Sequence, residues 1–148
     1  RKCNQFIFAS SEWVYDNFSE NRVKLLGYCL NQKLMILKEN KSAIISLTAE
    51  ELKRFNFKKG DTEGIVNYAL SIEDIVFAVF IAEKEGKVKL SLRSKGDFQV
   101  NEIARKYFNG GGHRNAAGGI SDVSVNETIE ILKEIFNQYN TQLINTKL

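Results

Sequence analysis

The chain has 148 residues, of which 43% are hydrophobic and 26% are charged, and its formal net charge is +3. This length and composition are typical of one globular domain that buries a sizeable core. Two cysteines and a single histidine, His113, exclude a disulfide framework and a cysteine-rich or histidine-rich metal centre. The longest apolar run, 75–82, is too short to span a membrane. The net charge is too small to indicate nucleic-acid binding by itself.

The first half of the chain predicts a helix, a β-hairpin and two short helices. Apolar residues at helical spacing predict a helix that begins at Ser19. Residues 33–38 and 43–47 are predicted strands, joined by a hairpin turn. A short helix is expected after Thr48, because Thr-Ala-Glu-Glu is a capping box, in which two side chains accept hydrogen bonds from backbone N–H groups at the helix start. Asp61 is the predicted cap of the next helix.

The second half predicts two strands, a short helix, a glycine-rich loop and a long final helix. Residues 75–82 are a continuous apolar run whose length suits a strand buried on both faces. Apolar and polar residues alternate over 88–93, which predicts a half-buried strand. A helix is predicted over 100–107. The final helix follows a second capping box at Ser124, and the tail after Thr141 is expected to fray.

These elements together predict an α/β domain. We expect a mixed β-sheet with helices packed on it, in a single domain. Both hairpins are expected to be antiparallel, because short turns join their strands. No internal repeat or low-complexity segment in the sequence indicates another architecture.

The glycine-rich segment gives the clearest indication of a ligand site. Five of the ten glycines lie between residues 110 and 119. Because glycine has no Cβ, a ligand can approach such a backbone closely, and successive N–H groups can form an anion-binding concavity. The next three side chains add hydrogen-bond donors, and a helical turn beginning at Asn115 would add its dipole. The candidate residues are Gly110, Gly111, Gly112, His113, Arg114 and Asn115.

A second candidate lies at the end of the strand predicted over 88–93, where Ser94 follows Arg93. A guanidinium group binds phosphate through two parallel hydrogen bonds, so Arg93 is a candidate phosphate clamp. Each candidate has a plainer alternative. The glycines would form a tight loop without a ligand, with His113 as an ordinary surface residue, and Arg93 would form a surface ion pair.

The segment 110–118 resembles the glycine-histidine signature of the DHH-associated C-terminal domain. Segments 61–68, 91–94 and 100–104 agree with that family in order and spacing. Together they resemble the branch that contains nanoRNases and pAp phosphatases, also called exopolyphosphatase-related proteins. The resemblance extends over residues 19–139.

Members of this family have two lobes, and the resemblance implies that this chain is the second. The N-terminal DHH lobe holds two manganese ions through Asp and His ligands, and the C-terminal lobe closes over it and binds the substrate. No Asp-His-His triplet occurs in this chain, so the chain is expected to hold no catalytic residue, metal or other cofactor. Residues 19–140 would be the substrate-binding domain, 1–18 the remnant of an interdomain linker and 141–148 a C-terminal tail.

The resemblance also implies roles for the candidate residues. The glycines and His113 would hold the substrate phosphate towards the metal lobe. Arg93, with Ser94 nearby, and Arg114 would bind a terminal phosphate or nucleotide, with Asn115 in the same set. The whole enzyme is expected to hydrolyse short single-stranded oligonucleotides, and 3′-phosphoadenosine 5′-phosphate as a further substrate. Expected partners are such a nucleotide and the DHH lobe, with a homodimer as a further expectation, no membrane and a cytoplasmic location.

Three alternatives remain open from the sequence. A cyclic-dinucleotide phosphodiesterase of the same family would share the glycine-histidine segment but differ around it. A non-catalytic nucleic-acid binding module, similar to the related domain of alanyl-tRNA synthetases, would bind tRNA more tightly than dinucleotides. An oligomerisation domain would leave the glycine segment unexplained.

Overall fold

The computed structural model describes residues 17–148, and the linker predicted over 1–18 lies almost wholly outside them. The strands are β1 (Met35–Leu37), β2 (Ser42–Leu47), β3 (Phe77–Lys84), β4 (Lys87–Ser94), β5 (Gly111–His113) and β6 (Ala116–Ser121). The helices are α1 (Glu20–Tyr28), α2 (Ala49–Arg54), α3 (Ile65–Leu70), α4 (Asn101–Tyr107), α5 (Val125–Gln138) and α6 (Asn140–Asn145). A π-helical turn, Cys29–Lys33, extends α1, and a 3₁₀ turn, Lys38–Asn40, joins β1 to β2.

The strands form one sheet in the order β1-β2-β3-β4-β6-β5. β2 and β3 are parallel, and every other neighbouring pair is antiparallel. The parallel pair requires a long crossover connection, and α2 and α3 lie within it. The predicted α/β domain with a mixed sheet is therefore confirmed, as are the four strands predicted from their patterns, β1 to β4, and both antiparallel hairpins.

The first face of the sheet packs against α1, α2 and α3. Each helix contributes buried apolar side chains to this core, among them Leu25, Leu52 and Ile65. The strand residues of the same core come from β2 and β3 alone. No buried apolar residue of β4, β5 or β6 belongs to it within residues 17–148, so the three helices cover about half of this face.

The second face is covered by α4, α5 and α6. Their core joins side chains from β2, β3, β4 and β6. α6 corrects the expectation that the tail after Thr141 is frayed, because Leu143 is fully buried. Leu143 lies seven residues after Phe136 and continues the apolar stripe of α5. None of the helices between residues 17 and 148 is both long and apolar enough to cross a membrane.

The predicted helix caps are present with one exception. Thr48 and Ser124 form complete capping boxes at α2 and α5, and the Ser19 side chain accepts a hydrogen bond from a backbone N–H of α1. The prediction that Asp61 caps a helix is wrong. Its carboxylate accepts a hydrogen bond of 2.8 Å from the backbone N–H of Lys58 and closes a local turn instead. α3 starts only at Ile65.

Hydrogen bonds and an ion pair of Glu51 connect α1 and its π-helical turn to α2. Its carboxylate accepts hydrogen bonds from the Tyr28 hydroxyl at 2.6 Å and the Thr48 backbone N–H at 2.8 Å, and Lys33 Nζ lies at 2.9 Å. Burial by itself would raise the pKa of Glu51. The hydrogen bonds and the Lys33 charge outweigh it and lower the pKa to about 2, from an ordinary value of 4.5.

A carboxylate whose pKa is lower in the folded state stabilises that state above its unfolded pKa. We therefore expect part of the stability to be lost as the pH falls from about 4.5 towards about 2. Glu51→Gln should lower the free energy of unfolding at neutral pH by about 1–2 kcal/mol and reduce its pH dependence in this range. Urea unfolding at several pH values measures both. The exposed Glu50→Gln is the control, and equal pH profiles for Glu51→Gln and the unsubstituted chain would contradict the assignment.

Candidate functional site

The glycine-rich segment is a β-hairpin rather than a loop. β5 and β6 pair in an antiparallel manner around a turn at Arg114 and Asn115, and β6 pairs with β4. No helical turn begins at Asn115, because Ala116 and Ala117 are strand residues opposite Arg93 and Leu92. No helix dipole therefore contributes to this site. The pairing could not be seen in the hydrophobic pattern because the segment has almost no large apolar side chains.

Close backbone packing explains two of the three consecutive glycines. A Cβ on Gly110 would overlap the Gly118 carbonyl oxygen and lie 2.6 Å from the Gly119 Cα. Gly112 has a φ of +144°, and its Cβ would lie 2.7 Å from the Ala116 oxygen. Gly111 differs, because a Cβ there would make only ordinary contacts, 3.7 Å or more from Arg105. The folding of the hairpin thus requires Gly110 and Gly112 whether or not a ligand is bound.

The sheet register brings Arg93 and His113 to the same face. Arg93 pairs with Ala116, which pairs with His113, so the three form one row across β4, β6 and β5. Paired residues point to the same side of a sheet, and three adjacent strands span about 10 Å. The row continues the one through Ala43 and Ala78, which are buried under the helices of the first face. Arg93 and His113 therefore lie on the part of this face that the described helices leave open.

The Arg93 guanidinium is anchored on one side and available on the other. Its Nη1 donates to the carbonyl oxygens of Leu92 at 2.9 Å and Ala117 at 3.3 Å. Among the described residues, no carboxylate lies within ion-pair distance of it, so the alternative of a surface ion pair is not found. The Nε and Nη2 groups remain as donors for a bound anion.

Ser94 and Asn115 lie behind the open face. The predicted grouping of Ser94 with Arg93 is wrong, because successive strand residues point to opposite sides. Ser94 is buried, and its hydroxyl donates to the Phe98 carbonyl oxygen at 2.6 Å. The Asn115 amide donates to Ser94 Oγ at 2.9 Å and to the carbonyl oxygens of Gly96 and Phe98. The two residues hold the 94–98 turn against the tip of the hairpin and so position Arg114, which is exposed and donates to the Asp97 carbonyl oxygen at 3.4 Å.

A cavity of about 330 Å³ adjoins Arg93 on the open face. Lys84, Lys89 and Thr62 line it, together with Glu63 and Asn67 from the segment 61–68. Neither lysine belongs to the motifs from which the candidate residues were predicted. The alternation in β4 could have identified Lys89, because it lies four residues before Arg93 and therefore on the same face. Lys84 had no such signal, because it ends a strand whose preceding residues are mostly apolar.

Metal ligands are not grouped in the described part of the chain. Between residues 17 and 148, no three His, Cys, Asp or Glu side chains lie close enough together to hold a metal ion. These residues therefore do not fit a manganese pair. Apart from Glu63, the charged groups that they bring to the open face are cations, and these suit the binding of an anion.

A family profile of the DHHA1 domain matches residues 38–141. The chain belongs to the DHHA1 domain family. The match includes the sheet from β2 onwards, the hairpin and α5. It confirms the resemblance to the DHH-associated domain that the sequence motifs carried.

Two relatives of this DHHA1 domain, one curated and one solved, point to the same branch. The "Probable bifunctional oligoribonuclease and PAP phosphatase NrnA" of Streptococcus mutans is 32% identical over 133 residues, which are 89% of this chain and 41% of that protein. A solved exopolyphosphatase-related protein from Bacteroides fragilis is 40% identical with a TM-score of 0.87, and the match covers 90% of this chain and 39% of the other. A 3′,5′-cyclic-nucleotide phosphodiesterase of Helicobacter pylori is 31% identical over 52% of this chain and 26% of its own length. This DHHA1 domain thus spans about two fifths of the first two relatives.

The two neighbouring glycines Gly110 and Gly111 provide a test of the packing argument. Gly110→Ala should lower the free energy of unfolding by about 1–3 kcal/mol, because the added methyl group overlaps the backbone of β6. Gly111→Ala should change it by no more than about 0.5 kcal/mol. Chemical denaturation followed by circular dichroism measures both values. Equal stabilities of the two variants would show that the close approach of Gly110 to β6 is wrong.

Proposed function

We propose that this chain is the substrate-binding lobe of a DHH-family phosphoesterase that hydrolyses short oligonucleotides, with 3′-phosphoadenosine 5′-phosphate as a further substrate. The observation that carries the proposal is the row of Arg93 and His113 on the open part of the sheet. In this row the Arg93 guanidinium, which has no carboxylate partner among the described residues, lies two strands away from the exposed imidazole of His113. The relationship to the Streptococcus mutans protein supports the class of substrate.

The chemistry of this row suits a phosphate group. The free donors of Arg93 can form charge-assisted hydrogen bonds to two phosphate oxygens. His113 supplies a further donor and, when protonated, a positive charge. Ala116 lies between them and leaves room above the strand, because its side chain is a single methyl group. Contacts of this kind recognise the phosphate and not the base, so little sequence preference is expected.

Hydrolysis is proposed to take place in a DHH lobe of the same protein, which would hold the manganese ions. Residues 17–148 bring no set of metal ligands together, so the role proposed for them is to bind and orient the phosphate. The open part of the sheet would face the DHH lobe. A cytoplasmic location and a homodimer are part of the same proposal.

A cyclic nucleotide is the second candidate substrate. The Helicobacter pylori relative favours it, although its match covers 52% of this chain against 89% for the Streptococcus mutans protein. A linear substrate has a terminal phosphate with an additional negative charge, which the Arg93 guanidinium would bind more strongly than a diester. Competition between linear and cyclic diadenylate for this chain therefore separates the two candidates.

Arg93 provides the test of specific phosphate binding. Arg93→Ala should weaken the binding of a 5′-phosphorylated dinucleotide about 10- to 150-fold, the equivalent of one charge-assisted hydrogen bond of roughly 1.5–3 kcal/mol. Arg93→Lys keeps the charge but loses the planar fork, so it should restore only part of this affinity. Titration by calorimetry or by NMR at fixed salt measures the dissociation constants.

Lys133→Ala is the matched control for Arg93→Ala. Lys133 lies on α5, which packs on the other face of the sheet, and its ammonium group pairs with Glu130 at 2.8 Å. Its loss should change the affinity only slightly, through long-range electrostatics. Equal small effects of the two alanine substitutions would mean that binding is diffuse and that Arg93 does not contact the phosphate.

The division into two lobes predicts that this chain alone binds but does not hydrolyse. We expect no release of mononucleotides when the chain is incubated with manganese and a 5′-phosphorylated dinucleotide, while the same ligand still shifts its NMR signals. Product release is followed by chromatography. Turnover of about 1 per second or faster would place catalytic groups within this chain and overturn the proposed division.

A further inference from the structure

Two lysines lie on the same open part of the sheet as Arg93, at the other end of the cavity. Lys89 is in the row formed by Ala82 and Ile120, and Lys84 ends β3 on the same side. Lys89 lies four positions before Arg93 along β4, a distance of about 14 Å between their Cα atoms at about 3.4 Å per residue. That distance exceeds the size of one phosphate group.

Lys84 is held in place without a carboxylate partner. Its ammonium group donates to Thr62 Oγ1 at 2.6 Å and lies 4.7 Å from the centre of the Phe57 ring. Among the described residues, no carboxylate lies within 4.0 Å of its Nζ. Burial, followed by the nearby Lys89 charge, lowers the pKa of Lys84, and the charges of Glu63 and Glu85 oppose this only in part. The fold thus keeps two ammonium groups close together at some electrostatic cost.

The carboxylates around the two lysines neutralise them only in part. Glu63 supplies the one carboxylate among the described residues that line it, against three cations. Lys89 also approaches Glu85, but at 3.5 Å and with an exposed carboxylate, and such surface pairs contribute little. A bound anion between Lys84 and Lys89 would relieve the repulsion between them.

We propose that Lys84 and Lys89 form a second anion site, which takes a further phosphate of a chain whose terminal phosphate is bound at Arg93. This inference rests on the proposed function and specifies its substrate class as nucleotide chains with at least two phosphates. Ser91 and Gly118 lie between the two sites in the sheet. Because both residues are small, a sugar or a base can lie over them.

The experiment compares two ligands on the 148-residue chain, adenosine 5′-monophosphate and the 5′-phosphorylated trinucleotide pApApA. Lys84→Met and Lys89→Met should each weaken binding of the trinucleotide about 3- to 10-fold and leave binding of the monophosphate unchanged. Each should also make the slope of log affinity against log salt shallower by roughly 0.7, the value for one phosphate contact on a single strand. Lys133→Met is the control for a lost surface charge.

Thr62→Val separates charge from structure. It removes the hydrogen bond to Lys84 but keeps both ammonium groups, so the salt dependence for the trinucleotide should stay as in the unsubstituted chain. If Lys84 serves only to fasten the segment around Thr62 to the sheet, Thr62→Val and Lys84→Met will weaken binding alike and neither will change the salt slope. That result would overturn the second site. Lys89→Met does not touch the Thr62 hydrogen bond and tests the site even if Lys84→Met fails to fold.

The outcomes also separate this inference from the proposed function. If the unsubstituted chain binds neither ligand, or binds both independently of Arg93, the proposed function fails. If binding depends on Arg93 but both lysine variants match the unsubstituted chain with the trinucleotide, only the second site fails. An equal loss for the monophosphate and the trinucleotide in the lysine variants would place the lysines at the first phosphate and likewise contradict a second site.

Discussion

Three helices cover the first face of the sheet over β2 and β3, and α3 also borders β4. On that side β6 and β5 are open, and the proposed binding surface depends on this incomplete cover. The two rows of the sheet that contain Ser91 and Arg93 are apolar where the helices lie and polar or small beyond them. Ala43 and Ala78 are buried, and the same row continues through Arg93 to His113. A strand that alternates Lys89, Ser91 and Arg93 with Leu90 and Leu92 can bury only one of its faces. The polar residues on one face of β4 thus determine where the helices of the first face end and where a ligand can reach the sheet.

The hairpin of β5 and β6 extends this open surface by two strands. It exists because several glycines let backbone segments approach more closely than a Cβ would allow, as at Gly119, where a Cβ would lie 2.6 Å from the Phe108 Cβ. Behind the hairpin, the Asn115 amide and the Ser94 hydroxyl satisfy the carbonyl groups of the turn at residues 94–98. These contacts fix the hairpin tip, so that His113 and Arg114 are presented by a rigid element. The short segment 110–119 therefore contains both residues that the fold requires, such as Gly110 and Gly112, and residues that are available for a ligand, such as His113 and Arg114.

Sequence patterns predicted those parts of the molecule that local physics determines. Capping boxes at Thr48 and Ser124 and the alternation in β4 depend on neighbouring residues, and they were predicted correctly. The β5–β6 hairpin depends on pairing with a distant strand, and a segment of glycines and alanines carries no hydrophobic period that shows it. The alternation of side chains along β4 that places Arg93 on the open face also places Ser94 on the opposite face. The prediction of a common role for the two residues was based on their being neighbours in sequence. The contribution of Lys84 could not be predicted, since its position depends on tertiary contacts with Thr62 and Phe57.

The central claim is that phosphate binds on the open part of the first face, and a map of backbone amide shifts by NMR tests it directly. The chain is titrated with a 5′-phosphorylated dinucleotide at low salt. We expect the largest shifts at β4, β6 and β5, around Arg93, His113 and Gly118, with little change on α5 at Lys133. Shifts centred on α4, α5 and α6, or a uniform weak response over all lysine-rich surfaces, would contradict it.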